Sequence, residues 1–177
     1  ELALGGFASC ALAPSGTISC WGRLPLDTDL APRAVPGGPF ASVAVGQQHA
    51  CALTAVGEAW CWGRNDSGQV GNGTNSFSQP TPVNVTGLAS GVVAIAAGFG
   101  HVCAINGAGG ARCWGENGSG QLGDGGIADQ STPVDVSGLA SGVEAIAAGW
   151  AHTCAVVGAG AVKCWGYNET GQLGNGR

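Results

Sequence analysis

The eight cysteines of this 177-residue chain fall into four pairs with a single spacing. Cys10 and Cys20, Cys51 and Cys61, Cys103 and Cys113, and Cys154 and Cys164 are each ten positions apart. Every second cysteine runs directly into Trp-Gly, and the tryptophans (Trp21, Trp62, Trp114, Trp165) follow one another at 41, 52 and 51 residues. Other features keep step. Apolar runs ending in glycine (Leu2 to Gly5, Val43 to Gly46, Ile95 to Gly98, Ile146 to Gly149) precede each first cysteine. A Gly-Gln-Val/Leu-Gly block follows Trp62, Trp114 and Trp165, and Pro-Val-Asn-Val and Pro-Val-Asp-Val segments begin at Pro82 and Pro133. Such a register defines an internal repeat, the strongest single constraint on what the chain can fold into.

Each unit reads as four short strands separated by turn-rich sequence. The first is the Ala-Ile-Ala-Ala-Gly type of run and the second carries the first cysteine. The third ends in Cys-Trp-Gly, and the fourth is the Pro-Val-x-Val segment. Glycine is abundant, at 34 residues, but irregularly spaced, which excludes collagen, and long stretches rich in Glu, Lys and Leu are absent. The fold expected is all-β. Units of this size with four antiparallel strands have the dimensions of β-propeller blades. The repeat boundaries fall at about 1–40, 41–91, 92–142 and 143–177 of a single partial propeller.

Hairpin geometry tests the cysteine spacing. If Cys51 faces Cys61, then Ala52 faces Trp60, Leu53 faces Ala59 and Thr54 faces Glu58, leaving Ala55-Val56-Gly57 as the loop. Three-residue hairpin loops want a left-handed residue at their end, and glycine adopts that conformation most easily. Gly16, Gly109 and Gly160 occupy the same loop position in the other pairs. Directly opposed cysteines on antiparallel neighbours lie within disulfide range, so each pair is expected to close its own hairpin. Zinc is the weaker reading, because structural zinc gathers four ligands from closely spaced pairs. Free thiols packed as small apolar groups are the other alternative. Disulfides in every unit imply an oxidising compartment. Each closes about ten residues, a stabilisation of about 2–3 kcal/mol on the chain-entropy account.

The pattern His-x-Cys-Ala-Leu, a glycine turn, Cys-Trp-Gly-x-Asn-x-x-Gly-Gln-Leu-Gly and Thr-Pro-Val resembles the repeat of the regulator of chromosome condensation family. The resemblance covers essentially the whole chain. Copies starting near Ala41, Val92 and Val143 match well, whereas the first lacks the Asn-x-x-Gly-Gln-Leu-Gly block after Trp21. Well-known members close a ring of seven blades. About three and a half repeats are present, the last stopping at Arg177 before its Pro-Val-x-Val strand. The expectation is therefore a portion of a larger propeller, completed by further chain rather than by a partner. The family name also implies a guanine-nucleotide exchange factor bound to chromatin, which the disulfides and the charge argue against.

Only 10% of residues are charged, with a net charge of −5 and six Lys plus Arg in total. No basic stripe able to neutralise phosphates can be drawn from these, so nucleic acid is not an expected partner. The longest apolar runs, such as Val92 to Ala97, are too short to span a bilayer, so membrane insertion is not expected either. Methionine is absent even at position 1, which reads as a processed protein or an excerpt from a longer one.

His49, His101 and His152 share one repeat position, two before the first cysteine, where the first copy has Ala8. A residue recurring in every blade is expected to be a structural part, and the same logic covers Gln69, Gln121 and Gln172 and the tryptophans. Asp124-Gly125-Gly126-Ile127-Ala128-Asp129 resembles a calcium loop faintly and reads better as a turn. Neither a nucleophile elbow nor a phosphate loop is present, so no catalytic residue, cofactor or metal is expected. Five Asn-x-Ser/Thr sequons occur, at Asn65, Asn72, Asn84, Asn117 and Asn168. Asn65, Asn117 and Asn168 share the position after Cys-Trp-Gly, where a turn-forming asparagine accounts for them. In a secreted eukaryotic protein all five are candidate glycan sites.

The function expected is a non-catalytic extracellular or cell-surface module, a scaffold or a surface for protein or glycan partners. A subunit of an appendage or filament is one form of this. A secreted inhibitor is the alternative, because a secreted member of similar fold inhibits β-lactamases. Specificity is expected at residues that differ between blades, such as Arg23, Arg64, Glu116 and Tyr167 after each Trp-Gly.

Overall fold

A computed structural model describes residues 1–24 and 27–176. The chain forms four antiparallel sheets in sequence order. The first contains β1 (Leu2–Leu4), β2 (Ala8–Leu12), β3 (Ile18–Leu24) and β4 (Asp27–Ala34). The second contains β5 (Phe40–Val45), β6 (His49–Thr54), β7 (Ala59–Arg64) and β8 (Ser78–Asn84). The third contains β9 (Val92–Ala97), β10 (His101–Asn106), β11 (Ala111–Gly115) and β12 (Gln130–Asp135). The last has three strands among the described residues, β13 (Val143–Ala148), β14 (His152–Val157) and β15 (Ala161–Gly166). Within each sheet every strand pairs with its sequence neighbour, and the first strands of successive sheets pack side by side. These are propeller blades set around an axis lined by β1, β5, β9 and β13.

The hairpin arithmetic holds in each blade. Cys51 faces Cys61, Ala52 faces Trp60 and Leu53 faces Ala59, and the other three cysteine pairs face in the same way. Four disulfides join them, with Cα atoms 4.1 Å apart in each. The closing glycines are left-handed, at φ 82° for Gly16, 78° for Gly57, 77° for Gly109 and 78° for Gly160. Three of them also dock the next blade: Gly16, Gly57 and Gly109 carbonyls accept from Phe40, Val92 and Val143 amides. A Cβ on Gly57 would sit 2.5 Å from the Val92 oxygen, so a side chain is excluded there twice over.

The fourth strand begins earlier than its Pro-Val signal. β8 starts at Ser78 and β12 at Gln130, with a register break opposite Trp62 and Trp114. Pro80 and Pro82 fall in this outer strand, where an absent N–H breaks no ladder on the far side. The first blade is shorter because β3 runs on to Leu24 and β4 begins at Asp27, replacing the long loop that carries the Gly-Gln block elsewhere.

The core lies between blades rather than within them. Cys51, Leu53 and Ala59 of the second blade pack with Val102, Ala104 and Trp114 of the third. Cys103, Ile105 and Leu122 of the third pack with Ala155 and Trp165 of the fourth. Because strand side chains alternate, β6 presents Cys51 and Leu53 forward and Ala50 and Ala52 back onto the first blade's core with Trp62. Each blade is stabilised chiefly by its neighbours.

Candidate functional site on the axial face

The first strands of the blades end in the glycines picked out by the repeat, and close approach explains them. A Cβ on Gly46 would lie 2.2 Å from the His49 ring and 2.5 Å from the Gly98 oxygen. A Cβ on Gly98 would lie 2.5 Å from both the Gly149 oxygen and the His101 ring. The backbones are stitched at this level, with Phe7 donating to Gln47, Gln47 to Phe99, and Phe99 to Gly149.

The histidines sit beneath these glycines. His49 and His101 are 1% and 0% exposed, while His152 is half-buried. His101 Nε2 lies 2.9 Å from Thr153 Oγ1, whose hydroxyl donates to the Gln121 carbonyl at 2.8 Å. The hydroxyl proton is thereby committed, so His101 donates from Nε2 and its Nδ1 is left without a partner. At the same step one blade earlier, Val102 stands where Thr153 stands, and the His49 ring has only a loose approach to the His101 backbone and no well-formed hydrogen bond. Burial holds His49 down to about 4, partly offset by the His101 backbone and reinforced by Arg64. Burial, then the neighbouring His49 and His152, takes His101 down to about 3. Neutral and buried, the His49 and His101 rings serve the framework.

The remaining repeat residues brace loops. Trp114 and Trp165 donate their indole N–H to the Gln69 and Gln121 carbonyls of the preceding blade, at 2.9 Å each. The side-chain oxygens of Gln69, Gln121 and Gln172 accept from the Ser67, Ser119 and Thr170 amides. Asn65 and Asn117 are fully buried. Their oxygens accept from Val70 and Leu122, and their amides donate to Thr74 and to Asp124 and Ala128. A glycan on either nitrogen would displace those bonds. Asn168 repeats the pattern toward Leu173 and is half-buried, as is Asn72, whereas Asn84 is exposed. Asp124 accepts from Gly126 and Asn117, the work of a turn residue. Among the described residues, no group of three or more His, Cys, Asp or Glu gathers to hold a metal.

Two columns that vary from blade to blade lie at the mouth of the axis. A cavity of about 260 Å³ is lined by Leu4, Val45, Gln47, Phe99 and Trp150 among others. Aligned on the strand-ending glycine, Gly6, Gln47, Phe99 and Trp150 occupy one column, which the sequence reading did not single out. The column after Trp-Gly, which it did, lies beside it, because the Arg64, Glu116 and Tyr167 amides bond to Gln48, Gly100 and Ala151. Arg64 is bidentate to Asp66 at 2.7 Å and reaches Gln47 Oε1 at 3.2 Å. Burial opposes ionisation of Asp66, yet the bonds from Arg64 and Gln69 outweigh it and hold its carboxyl below the usual range. Glu116 is pushed up by burial and then by Asp129.

Repeated disulfide-closed blades around such a mouth define a β-propeller module. The regulator of chromosome condensation (RCC1) repeat matches residues 56–105 and 109–156, and a second form of it matches 40–69, 92–121 and 143–172. The chain belongs to this repeat family. It is 33% identical over 137 residues to the ultraviolet-B receptor UVR8 of Arabidopsis thaliana, covering 76% of this chain and 31% of that protein. Human WBSCR16 superposes with a TM-score of 0.87 at 24% identity, over all of this chain and 50% of that one. Yeast RCC1 (Prp20), solved bound to Kap60, gives 0.84 at 23% identity over 96% and 44%. The chain thus spans about half the length of those propellers and under a third of UVR8.

Proposed function

We propose that the chain forms part of a non-catalytic propeller that works extracellularly or at a cell surface, presenting the axial face to a protein partner. The observation that carries the compartment is a disulfide in every blade, four in all, with no free cysteine among the described residues. Such bonds persist where thiols are not kept reduced. The observation that supports recognition is the contrast between columns. Residues that hold blades together repeat, while those at the mouth change from Gln47 and Arg64 to Phe99 and Glu116 to Trp150 and Tyr167. Rigid scaffolds with variable rims are suited to binding, and the similar yeast propeller is one that binds a protein, Kap60. Nucleotide exchange is set aside because an acidic, disulfide-bonded chain suits neither the nucleus nor chromatin.

Differential alkylation of native protein, collected without reductant, tests the compartment. All eight cysteines should be unreactive until reduced. Free thiols in the native protein would sink the extracellular reading. Sedimentation of native material tests the form of assembly: a recognition module should sediment with a partner at defined stoichiometry, and recovery only in high-molecular-weight material would refute that in favour of a filament subunit.

A further inference from the structure

Phe99, Trp150 and Tyr167 form a continuous aromatic arc across the third and fourth blades. Phe99 meets Trp150 edge to face with centroids 5.8 Å apart, and Trp150 meets Tyr167 the same way at 5.6 Å. Trp150 lines the mouth of the axial cavity. Both ends of the arc are acidic. The Tyr167 hydroxyl donates to Glu169 Oε2. At the other end Glu116 crowds Gly100, the residue after Phe99, and the charge of Arg64 only partly offsets the burial and the Asp129 charge that oppose its ionisation. Arg64, the cation nearest Glu116 round the rim, is already bidentate to Asp66. The arc therefore offers aromatic rings between two carboxylates, and the nearby Arg64 is shared between Glu116 and its bidentate partner Asp66.

Resting on the interaction reading above, we propose that this arc is a docking subsite for a basic segment of a protein partner, seating an arginine or lysine side chain against Trp150 with its charge shared by Glu116 and Glu169. Cations are drawn to the faces of tryptophan and tyrosine, and arginine also stacks on them. A neutral sugar also stacks on tryptophan, but it would bring no positive charge to the Glu116 carboxylate, and burial already disfavours that charge.

The test titrates the whole chain, by tryptophan fluorescence and calorimetry, with a short Gly-Arg repeat peptide, using Gly-Lys and Gly-Glu repeats and a neutral oligosaccharide as controls. The basic peptides should bind, more weakly at high salt. Trp150→Ala should weaken binding about 3- to 30-fold, and Glu116→Gln by about 3- to 10-fold. Trp150→Phe should retain most of it. Glu58→Gln, at a hairpin loop of the second blade, should change nothing, and unaltered thermal melts of the variants exclude misfolding. Equal loss from Glu58→Gln and Glu116→Gln would overturn the proposal as mere charge attraction, and binding of the oligosaccharide alone would replace it with a glycan site. A protein partner whose affinity ignores both Trp150→Ala and Glu116→Gln would refute this subsite while leaving the interaction reading standing.

Discussion

Val102→Thr should make the protein more stable, an unusual expectation for placing a hydroxyl at a position 0% exposed. One blade further on, the equivalent Thr153 is equally buried and accepts from His101 while donating to Gln121. The Gln69 carbonyl, which already takes the Trp114 indole N–H, is the counterpart of Gln121. A threonine at 102 therefore finds an acceptor and a donor in place. Valine and threonine have nearly the same shape, so packing changes little. The His49 ring, which has no well-formed hydrogen bond, gains one, and the new hydroxyl is itself satisfied. A net gain of about 1–2 kcal/mol follows, because an unsatisfied buried group costs about 1–3 kcal/mol. The converse change, Thr153→Val, strands His101 Nε2 and should cost about 2 kcal/mol. Urea denaturation with the disulfides intact, followed by tryptophan fluorescence, measures both, and thermal melts should shift by about 2–4 °C per kcal/mol. If Val102→Thr destabilises while Thr153→Val is neutral, the hydroxyl is not what supports the ring and the reasoning fails.

The same buried rings set a pH dependence. With His49 held to about 4 and His101 to about 3, against 6.5 unperturbed, the folded chain binds fewer protons than the unfolded one. Stability should be level above about pH 6.5 and fall below it by up to about 1.4 kcal/mol per pH unit for each histidine. Urea midpoints flat between about pH 7 and about pH 5 would contradict this. Gly98→Ala should cost about 2–4 kcal/mol through the clash with Gly149 and His101. Gly138→Ala, with nothing within 4 Å and only φ 71° against it, should cost about 1–2 kcal/mol; equal losses in thermal melts would refute the close-approach account. Asn117→Ala removes the acceptor of Leu122 and the donor to Asp124 and Ala128, a loss of about 2–3 kcal/mol. Exposed Asn84→Ala should stay within about 0.5 kcal/mol, and a calorimetric scan separates the two.

Much of a blade is legible in its sequence, for a physical reason. A hairpin is local, so ten-residue spacing and a glycine at the third loop position are enough to pair Cys51 with Cys61 and to place Gly57 in the left-handed region. Blade-to-blade contact is not local. Nothing in the run Ala94-Ile95-Ala96-Ala97-Gly98 says that the glycine faces a carbonyl of the next blade rather than ending a strand. Nor does an Asn-x-Ser sequon reveal that Asn117 is 0% exposed and committed to its own loop.

The mouth of the axis was half legible, and the half that was missed shows what a repeat hides. Comparing copies after each Trp-Gly finds Arg64, Glu116 and Tyr167, since the invariant Trp-Gly anchors the column. The column of Gln47, Phe99 and Trp150 follows an equally invariant glycine, but that glycine passes for the end of an apolar run until its Cβ is found to have no room. Once the glycine is seen as a contact rather than a stop, the residue after it must project where the backbones of adjacent blades are stitched together. Its identity is then free of the packing that holds the glycine, tryptophan and glutamine columns constant. Variation between repeats is informative only against the positions that cannot vary, and here those positions are set by neighbouring blades.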